Sequence, residues 1–205
     1  MKVNTYTCKQ LQKGYSLVEL SVALSIVAVV IVAGLLGARQ VMLSNTTNNQ
    51  IRESNQTIAK LRKTMASQTS TADLTNVIAT KLGAWPNDRS TCTTTECTNR
   101  AMFNGAFEYA FTNSAISAMA ANTGVIYVLH KVPTQVCADL VNGLNGAAVA
   151  LYAGASATAA PTKGDVPTTL TAVKSGTGSN ISVADLATGC TSSSGLSDIY
   201  AAIQM

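Results

Sequence analysis

The pattern of hydrophobic and polar positions divides the chain into segments of different period. Residues 20–38 are nineteen consecutive uncharged positions, and a single carboxylate, Glu19, stands directly in front of them. As a helix this run spans ~28 Å, against a bilayer hydrocarbon core of about 30 Å, so it is long enough to cross a membrane. Beyond Arg39 the pattern becomes amphipathic. Ile51, Ile58, Leu61 and Met65 fall at offsets of 0, 7, 10 and 14, a narrow apolar stripe that predicts packing against a domain, with Arg52, Glu53, Lys60 and Lys63 on the other face. No proline occurs before Pro86, so one helix is predicted from about Tyr15 to near Ala66. Within it, SNTTNNQ at 44–50 is a weak helix former.

From about Thr69 the pattern is that of a compact head. TADLTNVIATKL, 71–82, predicts a short helix with Thr71 as N-cap. A polar loop follows, GAWPNDRSTCTTTECTNR, in which the solitary Trp85 reads as a core plug rather than a ligand platform. GVIYVLHKV, 124–132, is β-branched and apolar and predicts a strand. Pro133 opens a predicted helix, PTQVCADLVNGL, that ends at Gly143. AAVALYAG (147–154), VPTTLTAVK (166–174) and SDIYAAIQ (197–204) predict further strands separated by Gly and Ser turns, with the small-residue run LYAGASATAAPTKGD read as a loop on an exposed surface. A long helix followed by mostly antiparallel strands makes the class α+β.

Composition and charge narrow the setting. The chain has 205 residues, 47% hydrophobic, 5% aromatic and 12% charged, a balance closer to exported surface proteins than to cytoplasmic enzymes. The net charge of +4 arises mainly from Lys2, Lys9 and Lys13 in the first fourteen residues, which carry no acid. The remainder is almost neutral, which argues against a nucleic-acid partner bound through a broad basic face. Lysines before the apolar run and none directly after it place the N-terminus on the cytoplasmic side.

Two processing sites compete. A secretory signal is cleaved after its apolar core, and VAG at 32–34 offers a weak small-residue site. The alternative is a cut before the core, between Gly14 and Tyr15. The stretch KG|YSLVELSVALSIVAVVIVAGLLGARQ, residues 13–40, resembles the N-terminus of type IV prepilins: a short basic leader ending in Gly, a hydrophobic first mature residue, and Glu at the fifth mature position. The resemblance covers residues 1 to about 40. It implies cleavage after Gly14 by a prepilin peptidase, N-methylation of Tyr15, and assembly through Glu19 into a helical homo-oligomeric filament. Tyr at the first mature position departs from the commoner Phe, and from the Met, Leu or Val of the type IVb branch. Cleavage would leave an α-amino group on Tyr15, positive near neutral pH. An unpaired Glu19 carboxylate in an apolar filament core costs several kcal/mol, and a neighbouring subunit's amine would neutralise it and fix the axial register.

Five cysteines bear on the compartment. Cys8 lies in the leader; Cys92, Cys97, Cys137 and Cys190 remain, an even number suited to disulfides in an exported protein, although four cysteines allow three connectivities. The pairing expected is Cys92 with Cys97 and Cys137 with Cys190. The second is what the resemblance implies, since type IV pilins, type IVb above all, close a C-terminal region with one Cys on a helix and another near the chain's end. A zinc site is disfavoured, because the spacing lacks paired CxxC motifs. No metal or cofactor is expected. Catalytic constellations are wanting. The single histidine, His130, sits in an apolar strand pattern, Asp165, Asp185 and Asp198 are scattered, and there is no phosphate-binding loop, HExxH or nucleophile elbow. Acceptor triplets for Asn glycosylation at Asn45, Asn55 and Asn180 are what chance gives in a chain this rich in Asn and Thr.

The expected organisation is a cleaved leader at 1–14, a membrane or filament-core half of the helix at 15–38, an amphipathic half at 39–68, and an α+β head at 69–205. The resemblance implies a structural, non-enzymatic subunit, a major pilin of a type IVb-like pilus used in adhesion, aggregation or mating contact. It would lie in the bacterial inner membrane, in contact with the pilus assembly machinery, and then in an extracellular filament. A minor pilin or a type II secretion pseudopilin would share the same N-terminus.

Overall fold

Helix α1 runs without a break over Leu17–Met65. The computed structural model describes residues 16–66, 68, 70–116 and 118–205; the leader, Gly14 and Tyr15 lie outside the described residues. The chain divides into two compact units, one ending at Met42 and the other Leu43–Met205.

In the second unit α1 is followed by α2 (Asn76–Lys81), β1 (Ser90–Cys92), β2 (Cys97–Arg100), β3 (Phe107–Thr112), β4 (Gly124–Pro133), α3 (Thr134–Leu144), β5 (Ala150–Ala155), β6 (Thr171–Lys174), α4 (Val183–Gly189) and β7 (Leu196–Gln204). The seven strands form one sheet in the order β1-β2-β3-β4-β7-β5-β6, with every neighbour antiparallel. The fold class is α+β, as the sequence predicts.

Strand alternation gives the sheet two apolar faces. One presents Val125, Tyr127 and Leu129 of β4 with Ile199, Ala201 and Ile203 of β7, and packs with Ile58 and Leu61 of α1 and Val136 and Leu140 of α3. Ile51 and Met65 pack against the same core, so the predicted stripe is the contact face of α1. The other face presents Tyr109, Phe111, Ile126, Val128 and Tyr200, and is covered by Met119, Ile116, Val166 and Leu170 from two loops.

Several sequence expectations need correction. The first helix of the head starts at Asn76, with Thr75 as its N-cap, whose side chain accepts from Ile78 N. Thr71 is instead buried and donates to the Gly124 carbonyl at 2.7 Å. The polar cysteine loop contains the β1–β2 hairpin, and β3 and α4 are further elements absent from the sequence reading. The predicted strand 166–174 shrinks to Thr171–Lys174, because Pro167 has no N–H for a ladder and its carbonyl closes a turn to Leu170 N. Gly143 does not end α3, which continues to Leu144; it lies against Ile51 of α1. Glu53, expected on the solvent face of α1, is buried and ion-paired with Arg89.

Candidate functional site

The first unit is helix alone. Leu17, Val18, Leu20, Val22, Leu24, Ile26 and the large apolar side chains after them to Met42 are all more than half exposed. Helix α1 is long and apolar enough here to cross a membrane. The two serines in this stretch suit an apolar environment. Ser21 Oγ donates to Val18 O and Ser25 Oγ to Val22 O, each at 2.8 Å, so neither hydroxyl is left unbonded. Glu19 occupies the first turn, where a negative charge meets the positive end of the helix dipole. Its carboxylate has no partner among the described residues, and Gly14 and Tyr15 lie outside them.

In the head, the structure joins Cys92 to Cys97 and Cys137 to Cys190. Cys92 and Cys97 face each other across β1 and β2 and close the hairpin. Cys137 sits on α3 and Cys190 immediately follows α4, so the bridge ties together positions separated by 53 in the sequence. Lys174 braces the same region from β6, its Nζ donating to Asn145 O, at the C-cap of α3, at 2.8 Å and to Ala148 O, in the turn that follows, at 2.7 Å. Helix α4 is capped by Ser182, whose Oγ accepts from Asp185 N. The sequence signal for this helix is the Ser-x-x-Asp pattern at 182–185.

Beneath α1 lies a polar network that apolar periodicity could not reveal. Glu108 of β3 is fully buried. Its Oε1 accepts from Gln50 Nε2 and its Oε2 from Trp85 Nε1 and from Tyr127 Oη at 2.8 Å. Burial pushes its carboxyl above the ordinary 4.5, although these hydrogen bonds and Arg89 partly oppose the rise. Trp85 is thus a core plug whose indole N–H is satisfied. The legible signal is the polar repeat Thr47, Gln50, Ser54, Thr57, spaced three and four apart and buried on α1. Asn76 ties α2 into the sheet in the same manner, donating to Cys97 O at 2.6 Å and accepting from Ala110 N at 3.2 Å.

His130 is buried, and its Nδ1 lies 2.9 Å from Asp198 Oδ1. Asp198 also accepts from Lys131 N at 2.9 Å and from Ala157 N at 3.0 Å. Burial opposes its charge, but these bonds outweigh it and hold the carboxyl below the ordinary 3.8. The group secures the β4 bulge, where Lys131 takes a φ of 59°. No hydroxyl among the described residues bonds the other ring nitrogen, which is buried and unpartnered. The arrangement fits a structural pair rather than a general base. Asp165 bonds Ser114, and Asp185 lies in the first turn of α4, so the scattered aspartates do not converge.

Comparison with known proteins adds two findings. Residues 9–35 match the family described as the prokaryotic N-terminal methylation motif. The fold is similar to that in the crystal structure of type IV b pilin from Salmonella typhi, with 15% sequence identity and a TM-score of 0.52 over 77% of this chain and 99% of that one. No curated protein matches the chain by sequence. At that identity the structural likeness speaks to fold, and the motif speaks to residues 9–35. The chain therefore carries the N-terminal methylation motif of prokaryotic prepilins and, after it, the fold of a type IVb pilin.

Proposed function

We propose that this protein is a structural subunit, a major pilin, of a type IVb-like pilus. The observation that carries the reading is the match of residues 9–35 to the methylation motif, a stretch that holds Gly14, Glu19 and the first part of the apolar run. The type IVb fold and the disulfide-closed region from Cys137 to Cys190 support a displayed filament subunit over a priming pseudopilin.

In this reading a prepilin peptidase cuts after Gly14, and the new Tyr15 amine is methylated. The mature chain waits in the inner membrane with its apolar helix in lipid. Assembly exchanges lipid contacts for contacts with other copies. Leaving an unpaired carboxylate in that apolar core is costly, so Glu19 selects the axial position at which a neighbour's Tyr15 amine meets it. The head then faces outward and makes the filament's external contacts. The chain's role is mechanical rather than enzymatic, and the work of assembly comes from separate machinery.

The test is the ratio of sheared to membrane-bound mature subunit for three forms. Wild type dominates the sheared surface fraction. Glu19→Ala accumulates as processed subunit in the membrane with filaments lost, because insertion does not need the charge and pairing does. Glu19→Asp keeps the charge at shorter reach and gives a partial defect. Normal piliation by Glu19→Ala would reduce Glu19 to a boundary charge. A wild-type subunit that is processed but scarce in sheared filaments would instead identify a minor pilin or pseudopilin.

A further inference from the structure

Three Asn-Gly pairs occur in the chain, at 104–105, 142–143 and 145–146. In such a pair the glycine nitrogen can attack the asparagine Cγ, because no Cβ hinders its approach. The fold treats the three differently. Gly143 lies within α3 and against Ile51, so the backbone rotation that attack requires is blocked. Asn104 and Gly105 are exposed in a turn closed by Ala106 N, which donates to Phe103 O at 3.1 Å. Asn145, the C-cap of α3, stands next to a buried cation.

That cation is Lys174, which is buried and has no counter-ion among the described residues. Its ammonium carries three protons and gives two of them to Asn145 O and Ala148 O, at 2.8 and 2.7 Å. The side-chain Oδ1 of the same Asn145 is buried and has no hydrogen-bond partner. Gly146 N likewise has no acceptor among the described residues. Gly146 is exposed, and a Cβ there would meet nothing within 4 Å. A cleft of about 470 Å³, lined by Gly146, Ala147, Asn55 and Arg62, opens this turn to water. Arg62 brings a second cation, donating to Ala147 O at 2.8 Å.

We propose that Asn145 is a self-modification site, at which the chain converts its own side-chain amide into a carboxylate. Gly146 N forms a bond to Asn145 Cγ, and the Cγ–Nδ2 bond breaks. The Gly146 amide proton leaves with Nδ2 as ammonia, and a five-membered succinimide ring remains. Water then opens the ring at either carbonyl, so the product is aspartate or its isoaspartate isomer at position 145. The net change is one water consumed and one ammonia released, with no oxidant or reductant. Negative charge develops on Oδ1 as Gly146 N adds, and the neighbouring ammonium, in a partly dry site, stabilises it. The same ammonium stabilises the product, since a buried cation without an anion gains one. That pairing offsets the unfavourable meeting of a carboxylate with the negative end of α3.

The experiment holds the full chain in a maltoside detergent at neutral pH and follows two tryptic peptides by mass spectrometry, 132–163 with Asn142 and Asn145, and 101–131 with Asn104. Conversion is expected at position 145, as both isomers, with oxygen taken up from heavy-oxygen water and Asn142 unchanged. Gly146→Ala, which the open space at that position accommodates, should slow the conversion about tenfold. Lys174→Met should slow it by a similar factor while the exposed Asn104 keeps its wild-type rate. Gly146→Ala leaves Lys174 in place and decides the ring step should Lys174→Met fail to fold. Asn145 intact while Asn104 converts, an unchanged rate in Gly146→Ala or in folded Lys174→Met, or equal conversion of Asn142 and Asn145 overturns the proposal. Loss of ammonia with Lys174 joined to position 145 would mean a cross-link, and overturns it as well.

Discussion

Gly143 of α3 faces Ile51 of α1 so closely that a Cβ on the glycine would lie 2.6 Å from both Cγ1 and Cγ2 of the isoleucine. A β-branched side chain cannot move aside without changing rotamer, so the contact fixes how near α3 approaches the helix. Gly143→Ala should cost about 1–3 kcal/mol through overpacking, set against about 1 kcal/mol gained in helix propensity. Adding Ile51→Ala should recover the overpacking share. Denaturant unfolding of the single and double variants measures both, and a simple gain in stability from Gly143→Ala would contradict the contact.

Glu108 links this core to pH. Its folded value is raised by burial above the ordinary 4.5, so the folded state holds the proton more tightly than the unfolded chain. Its contribution is therefore fully present below about 4.5 and is lost as pH rises through the folded value. Glu108→Gln removes this titration. The melting temperature of wild type minus that of Glu108→Gln should fall as pH increases from about 4 to about 8. A difference that grows with pH would mean that the three donors outweigh desolvation.

The two disulfides should differ in worth. Loop-entropy reasoning assigns about 4 kcal/mol to the Cys137–Cys190 bridge, with its separation of 53 residues, and about 2 kcal/mol to Cys92–Cys97, with its separation of 5. Replacing Cys137 and Cys190 together by Ser should lower stability and subunit abundance without altering leader cleavage. Replacing Cys92 and Cys97 should cost about half as much in free energy. Thermal unfolding and non-reducing peptide mapping check both, and equal losses would place the long loop's entropy elsewhere.

The sequence announces elements whose apolar pattern points inward. The β4 and β7 segments and the Ile51–Ile58–Leu61–Met65 stripe are legible for that reason. β3 is not: in FEYAFT the aromatics Phe107, Tyr109 and Phe111 face the loop-covered outer side, while Glu108 points into the core. Burial of a carboxylate depends on Gln50, Trp85 and Tyr127 converging from three elements, which no local pattern encodes. The buried polar face of α1 shows locally only as the repeat Thr47, Gln50, Ser54, Thr57, which does not say what it meets. Thr71 and Thr75 are equally plausible caps by residue type, and the choice is made by a tertiary bond, Thr71 to Gly124 O. Gly143 reads as a helix stop until the neighbouring helix is known. For the candidate site, Glu19 and the apolar run are local features and stand in the sequence.

The most direct measurement is the mass of the N-terminal peptide of the mature protein recovered from the cell surface. Processing by prepilin peptidase predicts a chain that starts at Tyr15 and carries one added methyl group on its α-amine. That single observation joins Gly14, Tyr15 and Glu19 in the register on which the assembly argument rests. A mature start after Gly34 would mean an ordinary secretory signal, with Glu19 and the apolar helix discarded, and would contradict the account.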